Sequence, residues 1–483
     1  MNKLNNLEPK LVWKYFEDIC NVPRPSKKEG RIIEFLFAFA GENNLAVKRD
    51  QVGNVLICKP ATSGMASNRT IVLQSHLDMV CEKNADTIHD FDIDPIKPHI
   101  SGEWVTAEGT TLGADCGIGI ATQLAVLSSN EIKHGPIECL FTVDEETGLT
   151  GAKALQPGFF NAKVLINLDS EDEGQLFIGC AGGIDTVATL KYKAIPVSEG
   201  FLPLRIAVTG LLGGHSGDDI NKGRGNAAKI LNRFLWKISQ KMDIHLSSFD
   251  GGNLRNAIAR EAFANILIPF AKKEEVSIAF NIFRSEIENE LLSNEPKIRF
   301  SLESTDQPGF VTDQITQANL LNSLYACPHG ILAMSSLMPG MVETSTNLAS
   351  VKFIDGNAIE ISTSQRSDLE SSRNDAASMV ESVFKMAGAS VIHGEGYPGW
   401  APNPSSEVLQ IARETYKELF KIEPLVRSIH AGLECGLFLE KFPGLDMISF
   451  GPTLRDVHSP DEKIHIGSVK KFWDLLVHIL ARV

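Results

Sequence analysis

The sequence lacks the features expected of a secreted or membrane-bound protein. Its eight cysteines are scattered and no two form a C-x-x-C pair, so neither a zinc–thiolate site nor a disulfide framework is indicated. No apolar run approaches the roughly 18 residues that a membrane helix needs. The first 17 residues have no continuous apolar stretch behind a basic start, which argues against a signal peptide. We therefore expect a cytoplasmic protein without a membrane partner.

Clustered positive charge is also missing. The chain carries 60 Asp and Glu residues against 46 Lys and Arg residues, a formal net charge of −14. Because binding to phosphate backbones depends on clustered Lys and Arg, no nucleic-acid partner is expected. The hydrophobic fraction of 43% and the charged fraction of 22% are ordinary for a globular protein, and 483 residues correspond to roughly two or three domains.

The first part of the chain alternates short apolar runs with amphipathic helical patterns. Runs with the length of buried strands lie at 70–74, 137–143 and 164–168, and helical patterns lie at 12–19, 31–40 and 117–127. Strands that alternate with helices indicate an α/β domain, in which a mostly parallel central sheet is flanked by helices.

The pattern changes near residue 187. The next two hundred residues contain β-like runs at 204–209, 257–259, 276–283, 297–302 and 358–362, with helical patterns at 226–238 and 376–386. A helix at 407–420, a strand at 446–450 and a helix at 469–480 follow. We therefore expect an α/β domain formed by 1–186 and 397–483, with an α+β domain inserted at 187–396.

Histidine and carboxylate residues follow the predicted strands. His76 and Asp78 come directly after the first run, and residues two apart on an extended chain point to the same side. Three adjacent carboxylates at 144–146 end the second run, where they repel one another unless they are solvated or neutralised by a cation.

Three further candidates are Asp115 at the start of a helix, Asp169 after the third run, and His458 after the last strand. Taken singly, each has an ordinary explanation, such as a helix cap for Asp115. Together they lie at strand ends, the edge at which ligands collect in open α/β sheets. Two histidines and several carboxylates suit zinc, and two metals about 3.5–4 Å apart need a bridging carboxylate.

Five motifs in order resemble those of the di-zinc peptidase family that includes carnosinases, aminoacylases and bacterial di- and tripeptidases. They are S-H-L-D-M-V at 75–80, L-G-A-D-C-G at 112–117, D-E-E-T-G at 144–148, N-L-D-S-E at 167–171 and D-V-H-S-P at 456–460. The similarity spans essentially the whole chain and includes the segments 210–217, 251–256 and 430–436.

The resemblance implies a ligand set for two zinc ions. Asp115 would bridge the ions, His76 and Asp169 would complete one site, and Glu146 and His458 would complete the other. Manganese or cobalt could also occupy sites with nitrogen and oxygen ligands.

The resemblance also implies two catalytic roles beside the metals. Asp78 would orient His76. Glu145 would act as the general base, taking a proton from the bridging water and later delivering it to the leaving amine. From the residues alone either Glu145 or Glu146 could be the ligand, and only the resemblance separates them.

The inserted domain resembles the lid of this family, which implies a homodimer formed through that domain. His215 would reach the oxyanion, often that of a partner subunit's site. Arg366 would bind the terminal carboxylate of the substrate, and Asn256 and Gly432 would belong to the substrate pocket.

These lid residues also have purely structural interpretations. His215 could satisfy the backbone of its own loop, and Arg366 could pair with Asp368 or Glu370.

The resulting prediction is metal-dependent hydrolysis of small dipeptides with broad specificity, including dipeptides with histidine in the second position. Alternatives within the same family are an aminoacylase, a tripeptidase or a carboxypeptidase. Outside catalysis, the alternatives are a metal-binding relative without activity and a binding protein for small anions, which would show no metal dependence.

Overall fold

A computed structural model describes residues 4–483, which divide into two compact units. The first unit comprises the described residues up to Gly179 together with Trp400–Ser428 and Leu433–Val483, and the second comprises Cys180–Gly399 and Ile429–Gly432. None of the helices within 4–483 is both long and apolar enough to cross a membrane.

The α-helices of the described residues are, in chain order, α1 Lys10–Cys20, α2 Gly30–Glu42, α3 Ala114–Ser128, α4 Glu145–Gly148, α5 Thr150–Ala154, α6 Ala227–Ser239, α7 Lys273–Glu290, α8 Gln314–Ala326, α9 Glu370–Met386, α10 Glu407–Phe420, α11 Cys435–Lys441 and α12 Ile466–Leu480. The strands are β1 Ala46–Arg49, β2 Val55–Lys59, β3 Ile71–His76, β4 Pro98–Ser101, β5 Trp104–Ala107, β6 Ile137–Thr142, β7 Val164–Asn167, β8 Gln175–Cys180, β9 Gly182–Lys191, β10 Ala194–Ile195, β11 Phe201–Thr209, β12 His245–Gly251, β13 Ala262–Pro269, β14 Arg299–Ser304, β15 Val311–Thr312, β16 Gly330–Met334, β17 Val342–Ile354, β18 Ala358–Ser367, β19 Ser390–His393, β20 Leu425–Ile429, β21 Asp446–Ser449, β22 Leu454–Arg455 and β23 Lys463–His465.

The first unit contains an eight-stranded sheet in the order β1-β2-β6-β3-β7-β21-β8-β20. Its four central strands, β6, β3, β7 and β21, run parallel. Every residue of β3, β6 and β7 is buried, as expected when both faces of a parallel sheet are covered. This confirms the predicted α/β class with a mostly parallel centre.

A row of polar side chains crosses the central strands and aligns them. Asn167 Nδ2 donates to Gln74 Oε1 at 2.6 Å, and Ser449 Oγ donates to Asn167 Oδ1 at 2.5 Å. Gln74 Nε2 and Thr142 Oγ1 both donate to the Glu434 carboxylate, at 2.6 and 2.7 Å. Buried polar groups are costly to leave unpaired. This network therefore fixes the positions of the central strands relative to one another along the strand direction.

The second unit is built on an antiparallel sheet in the order β14-β11-β13-β12-β17-β18-β9-β19, with β16 added beside β17. Side chains from helices α6 to α9, among them Phe234, Phe283, Leu320 and Val380, share one hydrophobic core with the sheet. This is the predicted α+β arrangement. Its function as a lid stays a prediction.

Two sequence predictions within this unit were wrong. The run 276–283, read as β-like, lies within α7, where Val276, Phe280, Phe283 and Ile287 are buried at helical spacing. The run 257–259 forms no strand and contributes only an isolated bridge between Ala257 and His215. Both are short apolar runs, for which periodicity alone does not separate a strand from other structure.

The bounds of the units differ slightly from the predicted divisions. The second unit begins at Cys180, and β9 starts at Gly182, whereas the predicted change lies after residue 186. The first unit resumes at Trp400 instead of residue 397, and the short segment Ile429–Gly432 belongs to the second unit.

Candidate metal centre and active site

The five side chains predicted as metal ligands come together in the first unit, at the carboxyl ends of the parallel strands. His76 is the last residue of β3, Asp169 lies two residues beyond β7, and Glu146 lies in α4 just after β6. Asp115 lies in the first turn of α3, and His458 lies in the loop between β22 and β23. Since parallel strands end at one edge, residues distant in sequence become neighbours there.

Asp115 lies at the centre of this group. Its Oδ1 is 3.0 Å from Nε2 of His76, and its Oδ2 is 3.1 Å from Nε2 of His458. His76 Nε2 is also 3.3 Å from Asp169 Oδ1, and His458 Nε2 is 3.2 Å from Glu146 Oε2. The two oxygens of the Asp115 carboxylate therefore face two separate groups of possible metal ligands, His76 with Asp169 and His458 with Glu146.

The side chains of this group are of the kind that binds divalent cations. The ligand atoms of Asp115, Glu146 and His458 all lie within 4.8 Å of one another. The second oxygen of Glu146, Oε1, is buried and has no hydrogen-bond partner among the described residues, an arrangement that is costly unless a cation or a donor meets it. Imidazole nitrogens and carboxylate oxygens are ligands that zinc accepts.

The electrostatics of the group favour positive charge between the carboxylates. Hydrogen bonds to Asp115 and Glu146 raise the pKa of His458 to about 11. Burial opposes a charged His76, but the neighbouring Asp169 and Asp115 raise its pKa well above the usual value. Burial, reinforced by the charge of Asp115, raises the pKa of Asp169 to about 6.

Asp78 is fully buried and connects the two sides of the site. Its Oδ1 lies 3.4 Å from Nδ1 of His76. Its oxygens also accept hydrogen bonds from the backbone N–H groups of Glu145 and Glu146, at 3.0 and 3.2 Å, and from Ser26 Oγ at 2.7 Å. Burial alone would raise the pKa of Asp78, but His76 foremost, together with the hydrogen bonds from Ser26 and the Glu145 N–H, lowers it to about 2.

Glu145 is the first residue of α4, and its backbone is held by Asp78. Burial raises the pKa of its carboxyl well above the usual value, with further contributions from the negative charges of Asp169, Glu434 and Glu146, while His76 opposes the shift. A raised pKa makes this carboxylate a better proton acceptor than an ordinary glutamate, as a general base requires.

Asp144, the first of the three adjacent carboxylates, has a structural role. Its backbone is left-handed, with φ at 51°, and its carboxylate accepts hydrogen bonds from the hydroxyls of Thr147 and Thr150. Its N–H donates to Glu29 Oε1 at 2.9 Å. This turn separates Asp144 from the two glutamates that follow it.

Arg24 contacts the segments that carry the site, although no sequence pattern predicts this role. Its buried guanidinium donates to the carbonyl oxygens of Leu77 at 2.9 Å and Asp78 at 2.7 Å, and also to that of Gly113. A Cβ atom at Gly113 would lie 2.7 Å from the guanidinium, so the glycine permits this approach. In the sequence Arg24 stands between Pro23 and Pro25, a pattern that indicates a turn.

In the second unit, Arg366 lies on β18 and is buried. Its Nε donates to Ser216 Oγ at 3.3 Å, and its Nη1 donates to the hydroxyl of Tyr397 at 2.9 Å. Among the described residues Arg366 forms no ion pair, and Glu370 pairs with Arg373 instead, at 3.6 Å. A buried cation without a carboxylate partner is suited to binding an anionic group.

His215 is held by the backbone of its own loop. Its Nδ1 accepts hydrogen bonds from the N–H groups of Gly217 and Asp218, at 3.3 and 3.2 Å. Burial lowers the pKa of His215, and the charge of Arg366 lowers it further. In the neutral ring with Nδ1 as acceptor, the proton is on Nε2, which leaves Nε2–H free to donate.

Asn256 and Gly432 occupy supporting positions in the second unit. The side chain of Asn256 is exposed, and the backbone carbonyl oxygen of Asn256 accepts a hydrogen bond from Ser216 N–H at 2.7 Å, next to His215. A Cβ atom at Gly432 would lie 2.8 Å from the ring of Tyr397, so the missing side chain makes room for the phenol that contacts Arg366. No sequence signal identified Tyr397.

Comparisons with known proteins agree with this arrangement. The chain is 44% identical to the cytosol non-specific dipeptidase of Escherichia coli, over the whole of this chain and 99% of that protein. The crystal structure of aminoacylhistidine dipeptidase from Vibrio alginolyticus matches with a TM-score of 0.92 at 44% identity, covering 100% of this chain and 98% of that one. Aminopeptidase PepT from Bacillus cereus, at 18% identity and a TM-score of 0.57 over 98% of each chain, shares the fold alone.

A family model also matches most of the sequence. The model described as peptidase family M20/M25/M40 covers residues 72–482, a range that runs from β3 to the last helix and contains the central strands as well as His76 and His458. The chain therefore belongs to the peptidase family M20/M25/M40.

Proposed function

We propose that the protein hydrolyses unblocked dipeptides with broad specificity and depends on two divalent cations, preferentially zinc. The observation that carries this proposal is the position of Asp115, whose two oxygens face His76 and His458 separately. The names of the two relatives that are 44% identical, a non-specific dipeptidase and an aminoacylhistidine dipeptidase, support the substrate class.

In this proposal His76 and Asp169 would hold one ion, Glu146 and His458 would hold the other, and Asp115 would serve both. Zinc held by these residues would supply a water molecule of lowered pKa and would polarise the carbonyl group of the peptide. Glu145, beside the ligands, takes a proton from the attacking water and transfers it to the leaving amine. Asp78 holds His76 and the backbone of Glu145 in the required orientation.

The second unit supplies groups that bind the substrate. The guanidinium of Arg366, buttressed by Tyr397, binds the terminal carboxylate through its planar fork of donors. His215 donates from Nε2–H to the oxyanion that develops at the carbonyl carbon. Asn256 and Gly432 shape the same pocket.

We also propose a cytoplasmic location and a homodimer formed through the second unit. The description of the Escherichia coli relative as a cytosol enzyme supports the location. The dimer is supported by the sequence resemblance. The acidic net charge of −14 supports the absence of a nucleic-acid partner.

The direct test is hydrolysis of a substrate panel by the purified protein, with added zinc and after chelation. The panel contains several dipeptides including β-alanyl-histidine, a tripeptide and an N-acetyl amino acid. We expect metal-dependent cleavage confined to the unblocked dipeptides. Cleavage of only the tripeptide or the acetylated compound would favour a tripeptidase or an aminoacylase. If no compound is cleaved under any condition, the proposed enzymatic activity is wrong.

Replacing Asp78 with asparagine is expected to weaken metal binding about 10- to 100-fold, the usual cost of removing a group that orients a metal-bound histidine. In the variant, His76 Nδ1 loses its carboxylate neighbour. The asparagine side chain has only one oxygen, so it can accept only some of the hydrogen bonds that Asp78 accepts. Competition with a chelating indicator measures this change.

Asp446→Asn is the matched control for this variant. Asp446 accepts the N–H of Val408 at 3.0 Å and lies at the amino end of β21, away from the strand ends that carry the site. It should bind metal as the wild type does. Equal weakening in both variants would argue against a specific role for Asp78.

A further inference from the structure

Glu462 lies at the end of the β22–β23 loop, the same loop that carries His458. Only 2% of the residue is exposed. Both carboxylate oxygens accept hydrogen bonds from consecutive backbone N–H groups of the segment that leads into α3. Oε2 accepts from Leu112 at 2.7 Å and Gly113 at 2.8 Å, and Oε1 accepts from Ala114 at 2.8 Å and Asp115 at 3.3 Å.

The backbone at Asp115 depends on such outside partners. The first N–H groups of any helix have no acceptor within the helix. Here the first turn also departs from helical geometry, since Asp115 has φ −81° and ψ 115°, and Cys116 has φ −98° and ψ 32°. The regular hydrogen bonds of α3 therefore do not determine where the side chain of Asp115 points.

The same segment is held from its other side by Arg24, which donates to the carbonyl oxygen of Gly113. The peptide groups on both sides of Gly113 are thus fixed by a buried cation and a buried anion. Any shift of this segment would move Asp115 relative to His76 and His458, because Asp115 contacts both imidazoles.

We propose that Glu462 is a positioning residue of the metal centre, which holds Asp115 where its two oxygens can serve two ions. The inference rests on the proposed metal site and extends it. The β22–β23 loop then acts twice, directly through His458 and indirectly through Glu462. Ligand sites tolerate displacements of only about 0.5 Å, so four hydrogen bonds to this backbone control the affinity for both ions.

Glu462→Gln tests the proposal because the amide keeps the shape of the side chain but has only one oxygen to accept N–H groups. We expect the apparent dissociation constant for zinc to rise about 10- to 100-fold, and for both ions, since Asp115 is shared. The measurement is competition with a chelating indicator on the metal-stripped full-length protein. At saturating cobalt, the visible absorption spectrum of the variant should also differ from that of the wild type.

Glu138→Gln is the matched control. Glu138 is buried at the amino end of β6, and its carboxylate accepts the N–H groups of Asn161 and Ala162, both at 2.9 Å. The control removes the same kind of interaction, a buried carboxylate that accepts backbone N–H groups, at a place away from the metal centre. We expect unchanged zinc affinity and an unchanged cobalt spectrum, whatever its effect on the melting temperature.

Glu462→Asp provides a second measurement that does not depend on folding of the glutamine variant. The aspartate keeps a carboxylate on a side chain shorter by one methylene group. We expect its zinc affinity to fall between those of the wild type and Glu462→Gln. If Glu462→Gln does not fold, the zinc affinity of Glu462→Asp should still be below that of the wild type. Wild-type affinity in either Glu462 variant, or equal weakening in Glu138→Gln, would overturn the proposal. Failure of the wild-type protein to bind metal would instead contradict the proposed function.

Discussion

Replacing Glu145 with alanine is expected to lower kcat by about 10²- to 10⁴-fold while the protein retains its metal ions. The range is the usual contribution of a positioned general acid–base group. Glu145 is placed beside the ligands by the hydrogen bond from its N–H to Asp78, and its raised pKa suits proton transfer. The experiment measures kcat on a dipeptide at saturating zinc and counts bound metal per chain.

Glu146→Ala is the matched control because it removes the neighbouring carboxylate. Glu146 contacts His458 through Oε2 and leaves Oε1 buried without a partner among the described residues. We expect this variant to lose metal affinity, with activity that excess zinc restores in part. If both variants lose metal equally, or if Glu145→Ala keeps its rate, the division of roles between the two glutamates is wrong.

Replacing Arg366 with alanine should reduce kcat/KM about 10- to 100-fold for dipeptides with a free terminal carboxylate. Hydrogen bonds to charged groups contribute about 1.5–3 kcal/mol, and 1.4 kcal/mol corresponds to tenfold. The buried guanidinium keeps only the neutral partners Ser216 and Tyr397 within the second unit. The loss should fall mainly on KM, because a terminal carboxylate is bound in the ground state as well as in the transition state.

The informative comparison uses the same peptide with an amidated carboxyl terminus. Arg366→Ala should affect this substrate little, since its charge is absent. Arg233→Ala, which removes a half-buried arginine paired with Glu290 at 2.7 Å, is the matched control and should leave both substrates unaffected. A loss of equal size on the acid and the amide would contradict carboxylate binding by Arg366.

The parallel sheet and the strand ends were predictable because they depend on local patterns. Buried strands such as 71–76 and 164–167 are short apolar runs; His76 ends the first, and Asp169 lies two residues beyond the second. The wrong prediction at 276–283 arose for the same reason. Isolated from its partners, an apolar run of eight residues does not reveal which face is buried, and only the packing of Val276, Phe280 and Phe283 does so.

The division of labour within the D-E-E run was not predictable from its composition. Asp144 turns away because its backbone is left-handed and its carboxylate is bound by two threonines. Glu145 and Glu146 remain at the site because Asp78, more than sixty residues earlier, accepts their N–H groups. Side-chain direction after a turn depends on such distant acceptors.

The sequence by itself determined the class of fold, the type of donor at each strand end and, through its ordered motifs, the peptidase family. The tertiary structure alone decided how these donors are held. Arg24 and Glu462 reach the segment before Asp115 from 89 and 349 residues away along the chain. Neither residue has a local signature, because a buried charge that binds backbone groups is recognisable only after folding has brought those groups to it.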